Sequence, residues 1–176
     1  VMMHLPMTSM RDLTKDPLVL TASLSDEAFD HLMAEAIASV PGATGLNNHM
    51  GSALTQDRLA MERLMRRLEA DGLFFIDSRT TAETVAGTVA QEMAVPVASR
   101  SVFLDNDRDP AMIRAKLEQA IAIAERTGNA VAIGHPYPET LAVLNQALPE
   151  LPYDLAMAPA STLTDCDRHQ SLTSIP

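Results

Sequence analysis

Three histidines and two aspartates stand where apolar runs give out, and side chains of these types in such places can bind a metal or move a proton. Val1-Met2-Met3 leads into His4, and Ala43 to Leu46 leads into Asn47-Asn48-His49-Met50-Gly51-Ser52. Leu73 to Ile76 leads into Asp77, Val102 to Leu104 into Asp105, and Ala130 to Gly134 into His135. From position 49 onward the candidates are 28, 28 and 30 residues apart, about the length of one strand with its crossover helix and loops. Parallel strands that present chemistry at their carboxyl ends are what a β/α barrel or an open α/β sheet requires.

The amides and hydroxyl around His49 suit an imidazole with one nitrogen hydrogen-bonded and the other available, which metal ligation needs. A histidine that merely satisfies backbone groups in a turn is the ordinary alternative, and three histidines at three strand ends outweigh it. His31, inside a helical pattern, and His169, in the tail, are assigned to solvent. Asp77 and Asp105 could each orient a histidine, act as a base or cap the following helix. Asp77 is favoured, because Ser78, Arg79 and Thr80 follow it and Arg79 could clamp an anion or carbonyl oxygen. Ser52 lacks the Gly-x-Ser-x-Gly setting of an activated serine. No phosphate-loop or dinucleotide glycine pattern occurs, which argues against nucleotide cofactors.

The elements that must position these residues alternate between strand and helix. Val1 to Leu5 reads as a buried strand stopped by Pro6, followed by a loop of roughly eighteen residues. Ser25-Asp26-Glu27 opens a helix that Pro41-Gly42 ends, and Ala43 to Leu46 is a short strand entering the Asn47 to Ser52 loop. Thr55 is expected to cap the next helix, with Leu59, Met61, Leu64, Met65 and Leu68 inward and Asp71-Gly72 at its close. Leu73 to Ile76 is strand and Thr81 to Met93 helix. Val102 to Leu104 is preferred as the next strand over Val95-Pro96-Val97, which proline demotes. Asp109-Pro110 starts a helix running to Gly128. Ala130 to Ile133 is strand, Pro138 to Leu148 helix, Leu155 to Ala158 a last strand, and Thr164 to Pro176 a disordered tail. Such alternation predicts a parallel sheet covered by helices, within one domain over residues 1–163.

The chain has 176 residues, 47% of them apolar, enough for a real core. Its 13 basic and 23 acidic residues give a formal charge of −10, the wrong sign for a nucleic-acid partner. Cys166 is the only cysteine, which excludes a disulfide framework and a cysteine zinc site. No apolar run approaches the ~20 residues of a membrane span. The chain begins at Val1 already inside a strand-like run, so it is expected to be a segment of a longer protein.

Taken together, Met3-His4-Leu5-Pro6-Met7, Gly45 to Ser52, Phe75-Ile76-Asp77-Ser78-Arg79-Thr80, Phe103-Leu104-Asp105 and Ala132-Ile133-Gly134-His135-Pro136 resemble the divergent polysaccharide deacetylase family. The resemblance covers about Val1 to Ser161. It implies a deformed (β/α) barrel, here incomplete at its N-terminal end, in an envelope or periplasmic protein of Gram-negative bacteria. It also implies a divalent metal, zinc foremost, and an acetylated polysaccharide or oligosaccharide as substrate. Carried over residue by residue, His4 matches a metal histidine, His49 is the candidate second ligand because Thr8 stands where its partner belongs, and His135 matches the late acid. Asp77 is the catalytic carboxylate candidate. Asn47, Asn48, Ser52 and Arg79 are the candidates to hold sugar or oxyanion. The aspartate-bearing first strand has no counterpart here, so the segment alone is expected to be inactive. The rival reading is a non-catalytic glycan-binding or envelope-scaffold domain; a barrel phosphodiesterase or aldolase lacks its phosphate site or strand-end lysine. With aromatics at 3% and no Trp, stacking platforms for a sugar ring are scarce.

Overall fold

The computed structural model describes residues 1–11 and 18–164. They fall into two compact units, one of Val1–Ser99 with the segment from Ser161, the other of Arg100–Ala160. Cys166, His169 and most of the expected tail lie outside the described residues.

In the first unit, β1 (Met2–Met7), β2 (Gly45–Met50), β3 (Phe74–Asp77) and β4 (Val97–Ser99) form a parallel sheet in that order. Side chains alternate across it. Met3, Leu5, Met7, Leu46, Phe75 and Val97 share a buried cluster with Phe29, Leu32 and Met33 of α1 (Asp26–Ser39), with Met61, Leu64, Met65 and Leu68 of α2 (Arg58–Ala70), and with Val89 and Ala90 of α3 (Ala86–Glu92). The register pairs His4 with Asn47 and Asn47 with Ile76, on the opposite face from that cluster.

Several boundaries differ from the sequence reading, each for a local reason. Pro6 does not stop β1: its carbonyl accepts from Leu20 N–H at the edge away from β2, where a missing donor leaves no ladder bond unmade. β2 runs on through Asn47, Asn48 and His49 to Met50, because the two amides find partners along the β3 seam. Asp57, not Thr55, caps α2, accepting from Ala60 N–H; Thr55 sits in a preceding 3₁₀ turn and donates to the Gly51 carbonyl. Leu59 faces outward, 75% exposed. Residues 81–84 stay out of α3, since Thr81 and Thr84 hydroxyls accept from Glu83 and Ala86 N–H and so compete with the first helical turn. Pro96 merely precedes β4, its carbonyl accepting from Phe75, so the run Val95-Pro96-Val97 only leads into a strand that starts at Val97, and the preferred run supplies Val102–Phe103. Gly72 closes α2 with φ +66, as the left-handed cap requires.

In the second unit, β5 (Val102–Phe103) pairs in parallel with β6 (Ala132–Ile133). α4 (Pro110–Thr127) begins at Asp109, whose carboxylate accepts from Ala111 and Met112 N–H, and α5 (Pro138–Ala147) follows Tyr137. Leu104, Ile113, Leu117 and Val143 form its core. Leu155 to Ala158 is not strand.

The cap assignment predicts that Asp57→Ala lowers the unfolding free energy by about 1 kcal/mol, while Leu59→Ser changes it by about 0.5 kcal/mol or less. Urea denaturation monitored by far-UV circular dichroism reads both.

Candidate functional site

In the first unit, His4 near the middle of β1 and His49 near the end of β2 project from the same face of the sheet. His49 Nδ1 lies 3.0 Å from His4 Nε2, and the rings meet edge-on with centroids 4.8 Å apart. Both side chains are exposed. Two lone pairs that can share one proton can also be given to one cation. The pair thus brings together two side chains of a type that can build a metal site. Among the described residues no group of three or more His, Cys, Asp or Glu gathers to complete one, and the Thr8 hydroxyl donates to the Leu20 carbonyl.

The other first-unit candidates behave differently. Asp77 is buried on the helix-covered face, where its carboxylate accepts from Arg79 N–H at 2.8 Å and the Thr84 hydroxyl at 3.0 Å. Asn47 donates to the Ile76 carbonyl and to Ser78 Oγ; Asn48 donates to the Met50 carbonyl and accepts from Ser78 N–H. Their amides join β2 to β3. Ser52 is half-buried, 3.1 Å from Ser9 Oγ, and accepts from Met10 N–H. Arg79 is exposed and holds a left-handed backbone, φ +46. A cavity of about 220 Å³ beneath Leu59 and Arg63 includes none of these residues in its walls.

In the second unit, Asp105 and His135 form a hydrogen-bonded dyad. The carboxylate is buried and receives His135 Nδ1 at 2.9 Å, the Thr140 hydroxyl at 2.9 Å and the His135 backbone N–H. Burial alone would push this carboxyl up; the three hydrogen bonds and the neighbouring imidazole outweigh it and hold the carboxyl below the usual aspartate range. An ionised carboxylate only accepts, so Nδ1 carries the proton and Nε2 is the basic nitrogen of a ring that is 51% exposed. Gly134 permits the close turn, for a Cβ there would stand 3.2 Å from Asp105 Oδ2. Of the two strand-end aspartates, Asp105 is thus the one that orients a histidine. Thr140 and Tyr137, whose ring lies 5.2 Å from that of His135, were not singled out by sequence reasoning. Both fall within five residues of His135, and that nearness is the signal available for them. His31 is exposed beside Glu35 on α1.

The sequence profile of the divergent polysaccharide deacetylases matches residues 1–164. The chain belongs to that family. It is 40% identical over 166 residues to the uncharacterized protein YibQ of Escherichia coli K12, covering 93% of this chain and 51% of YibQ. It is 38% identical over 157 residues to an uncharacterized protein of Haemophilus influenzae Rd, covering 89% of this chain and 56% of the other. The chain spans about half the length of these curated relatives. The crystal structure of uncharacterized protein ATU2773 from Agrobacterium tumefaciens C58 is similar with a TM-score of 0.80 at 24% identity, covering 84% of this chain and 61% of that one. That likeness concerns the fold, α/β with parallel strands, and fits a deformed (β/α) barrel. Among the described residues no helix is long and apolar enough to cross a membrane.

Because the Asp105 carboxyl sits below its ordinary value, it contributes stability above the unfolded aspartate pKa of about 3.9, and that contribution is lost as pH falls through the lower folded value. Asp105→Asn is expected to cost about 1–3 kcal/mol at neutral pH. The gap between wild type and variant should narrow as pH falls below about 4, measured by urea midpoints across that range.

Proposed function

We propose that the full-length protein is a metal-dependent deacetylase removing N- or O-acetyl groups from a polysaccharide of the periplasm or cell envelope. Membership of the deacetylase family supports the reaction class, and the observation that carries the reading at the level of residues is the buried aspartate holding His135 by Nδ1. A ring held that way can keep a proton on Nε2 and give it to a departing amine or alkoxide, while Asp105 stabilises the imidazolium. That is the role of acid.

His4 and His49 are the residues that would hold a divalent ion, zinc foremost. When bound, such an ion supplies Lewis acidity toward an acetyl carbonyl and toward water. Arg79, the exposed cation after β3, and the Ser52 hydroxyl are the groups on this chain suited to contact sugar hydroxyls or a developing oxyanion. Asn47 and Asn48 support them by fixing the strand ends, since their amides already bond within the sheet. Asp77, engaged by Arg79 N–H and Thr84, shapes the loop that carries Arg79.

A second reading, a non-catalytic glycan-binding or envelope-scaffold domain, is favoured by one observation: among the described residues the two histidines gather no third ligand. Elemental analysis and acetate release by the full-length protein on an acetylated oligosaccharide separate the two. The deacetylase reading expects bound metal that His49→Ala weakens by about tenfold or more. It also expects His135→Ala to keep the metal and slow acetate release by about 10²–10⁴-fold. Absence of metal and of acetate release from wild type would leave the scaffold reading.

A further inference from the structure

A hydrogen bond to Asp105 fixes one nitrogen of His135 but leaves the ring plane able to swing about the N–H···O axis. With half its surface open to solvent, the imidazole needs a second contact, against its face, before Nε2 points in one direction. Tyr137 supplies such a contact. Its ring centroid lies 5.2 Å from that of His135 with the planes 31° apart, and its N–H donates to the His135 carbonyl at 2.8 Å, closing a tight turn between Pro136 and Pro138.

Tyr137 is itself braced. The Arg108 guanidinium carbon sits 4.4 Å from the Tyr137 ring centroid, a cation–π distance. Arg108 Nη2 in turn donates to both oxygens of Glu139, at 3.0 and 2.8 Å. An exposed ion pair of this kind adds little stability by itself, so its geometric effect is the one that matters here: it keeps the guanidinium over the tyrosine. The start of α5 thus contacts the dyad at separate points. Tyr137 meets the imidazole, Glu139 holds the cation over Tyr137, and Thr140 donates to Asp105.

We propose that Tyr137, braced by Arg108 and Glu139, is a positioning residue that fixes the ring plane of His135 against the Asp105 hydrogen bond. The assignment of a reaction to His135 rests on the deacetylase reading; the positioning itself does not. Tyr137 acts through its ring, so phenylalanine should replace it and leucine, apolar but smaller and without a π face, should not.

The test uses full-length protein with ¹⁵N-labelled histidine, following the low-field resonance of the Nδ1 proton shared with Asp105, assigned by its loss in Asp105→Asn. Wild type and Tyr137→Phe should retain a slowly exchanging signal. Tyr137→Leu should broaden it beyond detection as the ring swings and exposes the proton, and Arg108→Gln should speed its exchange to a smaller degree. On an acetylated oligosaccharide, Tyr137→Leu should lower kcat on the order of tenfold with KM within about twofold, and Tyr137→Phe should restore kcat. An Nδ1 signal in Tyr137→Leu that exchanges as in wild type overturns the proposal, as does an unchanged kcat in a protein that turns over. If wild type releases no acetate the deacetylase reading fails, and the Nδ1 resonance alone decides the positioning role. Should Tyr137→Leu not fold, Arg108→Gln decides: unaltered Nδ1 exchange there overturns the brace, and faster exchange supports it.

Discussion

Parallel pairing constrains everything else in the first unit. Strands that run the same way deliver their carboxyl ends to one edge, and the backbone groups left there must find partners without a neighbouring hairpin to supply them. The sheet meets this demand with side chains. Asn47 and Asn48 reach across to the end of β3, Ser78 answers with its N–H and hydroxyl, and the Asn48 side chain and Thr80 hydroxyl both donate to the Met50 carbonyl. Among the described residues no buried side-chain nitrogen or oxygen lacks a partner. Polar residues in a buried strand are tolerable only on those terms, because an unpaired amide there costs about 1–3 kcal/mol.

The same chemistry separates the three histidines. His4 and His49 meet each other, ring nitrogen to ring nitrogen, 3.0 Å apart. Two imidazoles in that relation can share one proton. His135 meets a carboxylate buried among three donors, which settles its tautomer. One contact joins two like rings, the other a ring and a charge.

How much of this was legible in the sequence depends on how local the determining contact is. The caps Ser25 and Asp109-Pro110 act within three residues, and the helices they open begin where expected. The spacing of apolar runs was enough to predict alternating strands and helices, and the parallel pairing followed. Asn47 and Asn48 read as loop residues, and the strand before them as ending at Leu46, until Ser78, some thirty positions away, is brought beside them. Sequence favours Asp77 over Asp105 for the same reason. The polar neighbours of Asp77 are adjacent in sequence, whereas the imidazole that gives Asp105 its role lies thirty residues on. Periodicity reports which face a residue takes, and it is silent on which partner waits there.

Backbone strain marks the strand ends independently of those hydrogen bonds. Met50 and Arg79 adopt left-handed φ values of 57° and 46° without being glycine, a conformation that costs an L-residue about 1 kcal/mol or more. Each falls just past a candidate residue, Met50 after His49 and Arg79 two places after Asp77. The strain is held by specific bonds: Asn48 and Thr80 anchor the Met50 carbonyl, and Asp77 anchors Arg79 N–H. A glycine at either position would relieve the cost, as Gly51 does beside Met50 at φ +87, where a Cβ would also stand 3.0 Å from Met7 Cβ. At Arg79 the turn places an exposed residue two positions beyond a buried carboxylate that accepts its N–H.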